Sequence, residues 1–148
     1  MPIPALTASG DLPAGVHEAT LAEVIDAFGS GSLERVGIAN RLRAIHRLAT
    51  STGKVRRFVV FGSFITAKPA PGDVDLFLLM EDDFAVDGVT GEAAMVFDHA
   101  VAQDRLGASL FWMRAIAALG GERAAVEYWQ VTRDGGRRGI VEIVEPSL

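Results

Sequence analysis

Two aspartates, Asp73 and Asp75, stand at the start of an apolar stretch, Val74–Met80, that is typical of a buried strand. Successive strand residues point to opposite faces, so both carboxylates are expected on one face, with Val74 and Leu76 on the core side. Adjacent carboxylates repel each other unless a cation or a proton lies between them. Such oxygen ligands suit Mg²⁺ (or Mn²⁺), which takes one or two protein carboxylates and completes its shell with water and substrate phosphates. The pair is therefore predicted to bind a divalent metal ion.

A glycine–serine pair, Gly62-Ser63, follows a second apolar run at 57–61, which also predicts a buried strand. Glycine permits a sharp turn and a close approach of the backbone to a ligand. Free N–H groups at such a turn, together with the Ser63 hydroxyl, would bind an anion. An anion site on one strand end and a cation site on the neighbouring strand are the two halves needed to hold a Mg²⁺–nucleoside triphosphate.

Residues outside these two motifs are weaker candidates, and each has a structural alternative. Thr66 could hydrogen-bond a nucleotide or support the turn, and Lys68 could reach phosphates or be a solvated loop lysine. The apolar contexts of the two tryptophans favour core packing over base stacking. A basic cluster around two glycines could contact phosphate or nucleic acid, or could be a solvated turn; its members are Arg133, Arg137 and Arg138.

The segment 57–80 resembles the nucleotidyltransferase superfamily, which includes DNA polymerase beta-like enzymes and the minimal nucleotidyltransferases of bacterial toxin–antitoxin pairs. The signature is a Gly-Ser turn after a strand, a spacer, and Asp-x-Asp in a hydrophobic strand, here Gly62-Ser63 and Asp73-Val74-Asp75. Further segments look like a small bacterial branch of minimal-nucleotidyltransferase-like proteins, namely 12–18, 107–112 and 133–142.

This resemblance implies a two-metal transfer of a nucleoside monophosphate to a hydroxyl on a protein, an RNA or a small molecule. Asp73 and Asp75 would hold the ions, Ser63 and the Gly62 backbone would bind the β- and γ-phosphates, and pyrophosphate would leave. Active members usually add a third carboxylate from a later strand, where this chain has Ser109. The alternative is a catalytically weak or inactive, antitoxin-like module that binds a toxin-like protein partner.

The elements that would position these residues alternate between strands and helices, which predicts an α/β (α+β) domain with a small mixed sheet and flanking helices. Residues 1–148 are predicted to form one such domain, with residues 1–18 as an extended N-terminal arm. A capping box, Thr20-Leu21-Ala22-Glu23, predicts a helix start. The predicted helices cover 20–28, 32–49, 92–106 and 122–131, and the predicted strands cover 57–61, 74–80, 108–113 and 139–144. The second helix has an apolar stripe of Leu33, Val36, Leu42, Ile45 and Leu48.

Composition narrows the class of protein. The chain has no cysteine, which excludes disulfides, thiol nucleophiles and thiolate metal sites, and its net charge of −5 argues against a protein that coats nucleic acid. Segment 35–57 is basic and segment 73–98 is acidic, which fits either a cation site facing a basic surface or the solvation of two helices. No signal peptide or membrane-spanning apolar run is recognisable, so a cytoplasmic protein is predicted.

Overall fold

A mixed β-sheet forms the centre of the computed structural model, which describes residues 3–146. Within these residues five strands form one sheet in the order β1-β5-β2-β3-β4. They are β1 (Val16–Ala19), β2 (Val55–Phe61), β3 (Val74–Met80), β4 (Ala108–Arg114) and β5 (Ile140–Ile143). The β1–β5 and β3–β4 pairs are parallel, whereas β2 is antiparallel to both of its neighbours. The predicted α+β class, a mixed sheet with flanking helices, is confirmed.

Two helices cover one face of the sheet, and both begin where the capping residues predict. Helix α1 (Leu21–Phe28) starts with a complete capping box: the Thr20 hydroxyl accepts from Glu23 N at 3.2 Å, and Thr20 N donates to Glu23 Oε1 at 2.8 Å. Helix α2 (Leu33–Thr50) is capped by the Ser32 hydroxyl. These bonds satisfy N–H groups that have no partner inside the helix.

The apolar stripe of α2 differs from the predicted one in its first turn. Leu33 is 87% exposed and Val36 is 44% exposed, and the Ser32 hydroxyl that precedes this turn donates to Pro69 O. Burial of apolar residues begins at Ile38. The buried apolar residues are Ile38, Ala39, Leu42, Ile45, Leu48 and Ala49.

The predicted helix at 92–106 is broken in the structure. It consists of α3 (Ala93–Val96), α4 (His99–Val101) and a π-helical turn, Ala102–Leu106. The break lies at Asp98, which has an extended backbone and caps α4 by accepting from Val101 N. Side chain–backbone bonding of this kind competes with a continuous helix.

The last predicted helix is shorter than expected, and the arm is more ordered. Helix α5 covers Glu122–Glu127, and a 3₁₀ turn, Tyr128–Gln130, follows it. The end of the predicted arm forms β1, which pairs with β5; Met1 and Pro2 of that arm lie outside the described residues. Further 3₁₀ turns cover Ser63–Ile65, Val86–Gly88 and Ala115–Ala117. No helix in residues 3–146 combines the length and apolar character needed to cross a membrane.

Alternation along β3 divides the apolar interior between the two faces of the sheet. Val74 and Leu76 belong to the large cluster under α1 and α2, whereas Phe77 and Leu79 belong to a smaller cluster with Val126 of α5. Asp75 shares the second face, since it alternates with Leu76. A functional site built on Asp75 therefore lies where the smaller cluster ends.

Candidate functional site

A cleft of about 890 Å³ opens on this second face and brings together most of the residues predicted from the sequence. Its floor is formed by the end of β2 and the starts of β3 and β4, and its wall by the segment that leads into β5. The predicted residues that line it are Gly62, Ser63, Lys68, Asp73 and Asp75. Its volume is within the range of small-molecule sites.

Asp75 of the acid pair lies directly against the glycine bend. Asp75 lies opposite Phe61 on β2, so the bend that begins at Gly62 comes next to its carboxylate. Gly62 has φ of +80°, and a Cβ atom at this position would lie 1.8 Å from Asp75 Oδ2. Both the backbone conformation and the close approach therefore require glycine at this position.

Burial and the neighbouring charge make Asp75 difficult to ionise. Burial, and next the carboxylate of Asp73, raise the pKa of Asp75 to about 6; Arg138, the Ser109 hydroxyl and, to the smallest extent, Arg133 oppose this shift. The side chains of Asp73 and Asp75 are thus close enough to repel each other. A divalent cation between them would remove this repulsion.

Two neutral side chains, Ser109 and Gln103, form hydrogen bonds beside the acid pair. In the parallel β3–β4 register Ser109 stands beside Asp75, and its hydroxyl lies 3.0 Å from Asp73 Oδ2 and 2.9 Å from Gln103 Oε1. Gln103 Nε2 also donates to Asp73 Oδ2 at 3.3 Å. The single Ser109 proton is available to one of its two acceptors, so the group is a small hydrogen-bonded network. Gln103 was not predicted, because it lies on the π-helical turn that interrupts the expected helix.

This donor set fits one Mg²⁺ or Mn²⁺ ion better than two. Two carboxylates are what Mg²⁺ typically takes from a protein. Over residues 3–146, no three carboxylate or imidazole side chains gather into a group that could hold a metal. Glu92, Asp98 and Asp104, acidic residues of the neighbouring segment 92–106, do not line the cleft and so do not supply a third carboxylate. Ser109 occupies the place where the resemblance leads one to expect a third carboxylate.

Thr66 supports the turn rather than lining the cleft. This residue is 8% exposed, and its hydroxyl donates to Ser63 O at 2.7 Å. The Thr66 hydroxyl oxygen also accepts from Lys68 N at 3.2 Å. These bonds fix the loop so that Lys68, unlike Thr66, reaches the cleft.

A buried arginine holds the same loop from below. Arg35 of α2 is 8% exposed, and its guanidinium donates to Phe64 O at 2.7 Å and Thr66 O at 2.6 Å. It also donates to the carbonyls of Phe28 and Lys68. The sequence grouped Arg35 with the basic segment 35–57, but the structure shows it as an internal clamp whose burial lowers its pKa. Arg57 is likewise engaged, by Glu122 and Glu142.

Replacing Arg35 by methionine is expected to lower the free energy of unfolding by about 3 kcal/mol or more, because buried carbonyls lose their donor. Urea denaturation measures this change. Arg47→Met, at an exposed position of the same helix, serves as the matched control and is expected to change stability by no more than about 0.5 kcal/mol. Equal stability of the two variants would contradict a stabilising role of the Arg35 hydrogen bonds.

Aromatic rings form one side of the cleft. The ring centroid of Trp129 lies 4.6 Å from that of Phe61 and 5.2 Å from that of Phe111. Trp129 and Phe111 are stacked, and all three residues line the cleft. Phe111 is 41% exposed, so part of this aromatic side of the cleft is accessible to a ligand. Trp112 lies on the opposite face, where it packs against Phe84 and Phe97, in agreement with the core interpretation.

Comparison with known proteins identifies a family without a known activity. The profile of a family described as "Family of unknown function (DUF6932)" matches residues 4–144. No curated protein and no solved structure matches the chain. The matched segment includes the whole cleft.

Proposed function

The chain belongs to the Family of unknown function (DUF6932), and from its cleft we propose that it is a nucleotidyltransferase-like protein of the DNA polymerase beta-like superfamily. It binds a nucleoside triphosphate with Mg²⁺ and transfers the nucleoside monophosphate to a hydroxyl acceptor. The observation that carries this proposal is the close approach of Asp75 to the Gly62 bend, with Asp73 lining the same cleft.

Each residue of the cleft has a role in this proposal. Asp73 and Asp75 are the carboxylate ligands of the ion, and the Ser109–Gln103 network orients Asp73. Gly62 lets the backbone lie against Asp75, and the exposed Phe111–Trp129 stack offers a face for the base. Bound Mg²⁺ would supply the charge that neutralises the phosphates. The oxygen of the acceptor hydroxyl forms the new bond to the α-phosphorus and loses its proton to solvent. The bond from the α-phosphorus to the α,β-bridging oxygen breaks, and pyrophosphate leaves with that oxygen.

Tryptophan fluorescence tests the binding step, because the two tryptophans lie on opposite faces of the sheet. In Trp112→Phe the remaining tryptophan is Trp129, and its emission is expected to change when Mg²⁺ and a non-hydrolysable nucleoside triphosphate are added together. The reciprocal variant Trp129→Phe, which retains Trp112 in the core, is the matched control and is expected to show no change. An equal response of both variants, or no response of either, would overturn binding in this cleft.

Labelled nucleotides test the transfer step. The native chain is incubated with each of the four α-labelled nucleoside triphosphates, Mg²⁺ and candidate acceptors, and compared with Asp73→Asn/Asp75→Asn. Label is expected on an acceptor with the native chain alone. Equal labelling by both proteins would assign the activity to a contaminant and remove the proposal of catalysis.

Ser109 favours a second candidate function, a module that binds nucleotide weakly or without turnover and acts through a protein partner. A hydroxyl is a neutral and therefore weaker ligand than the carboxylate expected at this strand position. Under this alternative, pull-down from the source cell recovers a stable partner, and a neighbouring gene encodes a small helical toxin. Turnover with labelled nucleotide and no stable partner would contradict it.

A further inference from the structure

The glycine–serine bend offers little positive charge for a polyphosphate. The helix that follows Gly62 is a single 3₁₀ turn, Ser63–Ile65, closed by one hydrogen bond from Thr66 N to Ser63 O. A helix dipole acts through several aligned peptides, so one turn contributes only part of it. Lys68 adds one positive charge from the same loop, and the remaining positive charge for a phosphate tail must come from another element of the cleft.

The segment 131–138, called the arginine hairpin below, supplies that charge. Val131 pairs with Arg137 as an isolated bridge, and Thr132 N donates to Gly136 O at 2.9 Å, which closes a tight loop. The cleft is lined by three guanidinium groups from this hairpin, those of Arg133, Arg137 and Arg138. The hairpin follows directly after Trp129 and Gln130, so the aromatic face and the cationic wall come from one continuous segment.

The guanidinium groups of the hairpin form few ion pairs, although the carboxylates of Asp11 and Asp134 also belong to residues that line the cleft. Asp134 is turned into its own loop, where it accepts from the Thr132 hydroxyl and from Gly136 N. Arg138 has one ion pair, a long contact of 3.6 Å with Asp11. In the part of the chain that the structure describes, Arg133 and Arg137 form no ion pair. Guanidinium groups in this state are available for an anionic ligand.

Long-range contacts hold the hairpin in place before any ligand binds. Arg138 N donates to Gln130 O at 3.0 Å, and the 4% exposed Gln130 accepts from Gly15 N at 2.6 Å. Gly139 N donates to Leu12 O at 2.9 Å, and a Cβ atom on Gly139 would lie 2.2 Å from Pro13 O. A cationic wall that is already ordered loses less entropy on binding than a flexible loop.

The charges of the hairpin act on the acid pair. Arg133 and Arg138 line the same cleft as Asp73 and Asp75, so these guanidinium groups and the carboxylates share one electrostatic field. The hairpin weakens the binding of a cation alone, and the acid pair weakens the binding of an anion alone. The ligand that satisfies both walls carries a polyphosphate and a divalent metal together.

We propose that the arginine hairpin is the polyphosphate-binding wall of the cleft, with Arg133, Arg137 and Arg138 contacting phosphate oxygens. This assignment rests on the proposed function for the identity of the metal–nucleotide, and it moves the phosphate subsite from the Gly62-Ser63 bend to the C-terminal side of the cleft. A nucleotide then lies with its base near the Phe111–Trp129 stack and its phosphate tail along the hairpin.

Inorganic tripolyphosphate, titrated calorimetrically without metal, tests the wall separately from the metal site. Arg133→Gln/Arg137→Gln is expected to weaken tripolyphosphate binding by about tenfold or more, since charge-assisted hydrogen bonds are lost. Arg105→Gln/Arg123→Gln, which removes two exposed charges outside the cleft, is the matched control and is expected to bind as the native chain does. Equal tripolyphosphate affinity in the hairpin variant and the control would overturn the proposal. Circular dichroism melting verifies that both variants are folded.

Two further measurements separate this inference from the proposed function. Mg²⁺ alone is expected to bind the hairpin variant at least as tightly as the native chain, because repulsion is removed. If the native chain binds no Mg²⁺ but the hairpin variant still loses tripolyphosphate, the proposed function fails and the wall stands. A single-stranded oligoribonucleotide without a 5′-triphosphate tests whether the hairpin instead binds the phosphates of a nucleic-acid backbone. Loss of its binding in the hairpin variant, with tripolyphosphate binding unchanged, would assign the hairpin to a nucleic-acid backbone and overturn the proposal.

Discussion

Asp75→Asn is expected to stabilise the metal-free protein at neutral pH by about 2 kcal/mol and to abolish the binding of Mg²⁺ or Mn²⁺. The folded state holds the Asp75 proton more tightly than the unfolded state, since the pKa rises from 3.8 to about 6. Ionisation of this carboxyl therefore destabilises the fold. The cost is absent below the unfolded pKa of 3.8, grows between 3.8 and about 6, and is complete above that range.

The size of this effect follows from the pKa shift. One pKa unit corresponds to about 1.4 kcal/mol, and partial exposure of the side chain reduces the full value to about 2 kcal/mol. Urea denaturation of the native chain and Asp75→Asn, with a chelator present, measures the difference as a function of pH. Asp87→Asn, at an exposed position, is the control and is expected to change stability little at any pH.

Two results would contradict this account. A difference between native and Asp75→Asn proteins that is constant with pH would show that the carboxyl is not perturbed. Retention of metal binding by Asp75→Asn would show that the ion lies elsewhere. A variant that gains stability and loses its ligand has the signature of a functional carboxylate, because activity maintains a charge that the fold alone disfavours.

Gly62→Ala is expected to lower the free energy of unfolding by about 3 kcal/mol or more and to abolish metal and nucleotide binding. Two costs add: a positive φ imposed on an L residue, and a Cβ atom that would overlap the Asp75 carboxylate. Gly53→Ala separates them, because Gly53 has φ of +69° with no atom within 4 Å of a Cβ. This control is expected to cost about 1–2 kcal/mol, the strain alone.

A double-mutant cycle tests whether the contact with Asp75 is the cause. Asp75→Ala shortens the side chain and removes the carboxylate that the Gly62→Ala methyl would meet. The destabilisation caused by Gly62→Ala is therefore expected to be smaller in the Asp75→Ala background, with a coupling energy of about 1 kcal/mol or more. Strict additivity of the two substitutions would show that backbone strain alone accounts for the loss.

The sequence predicted the parts of the fold that depend on neighbouring residues. The apolar run at 74–80 and the capping residues Thr20 and Ser32 agree with β3, α1 and α2. These patterns suffice because strand propensity and capping are set within a few positions along the chain. The continuous helix at 92–106 was wrong because the Asp98 cap interrupts it, and the apolar stripe of α2 was wrong at Leu33 and Val36, which are exposed.

The residues of the candidate site also fall into those found from local patterns and those brought together only by the fold. Strand geometry and turn chemistry sufficed to select Asp73, Asp75, Gly62 and Ser63, because two short segments contain the acid pair and the bend. The other walls of the cleft come together only in the folded chain: Gln103 on an irregular turn, Trp129 after α5, and the arginine hairpin that leads into β5. The sequence placed Arg35 in a basic segment, and only the folded chain shows that this arginine is buried. Insertion of β5 between β1 and β2 brings the hairpin to the acid pair, and such strand order depends on long-range packing that no local pattern encodes.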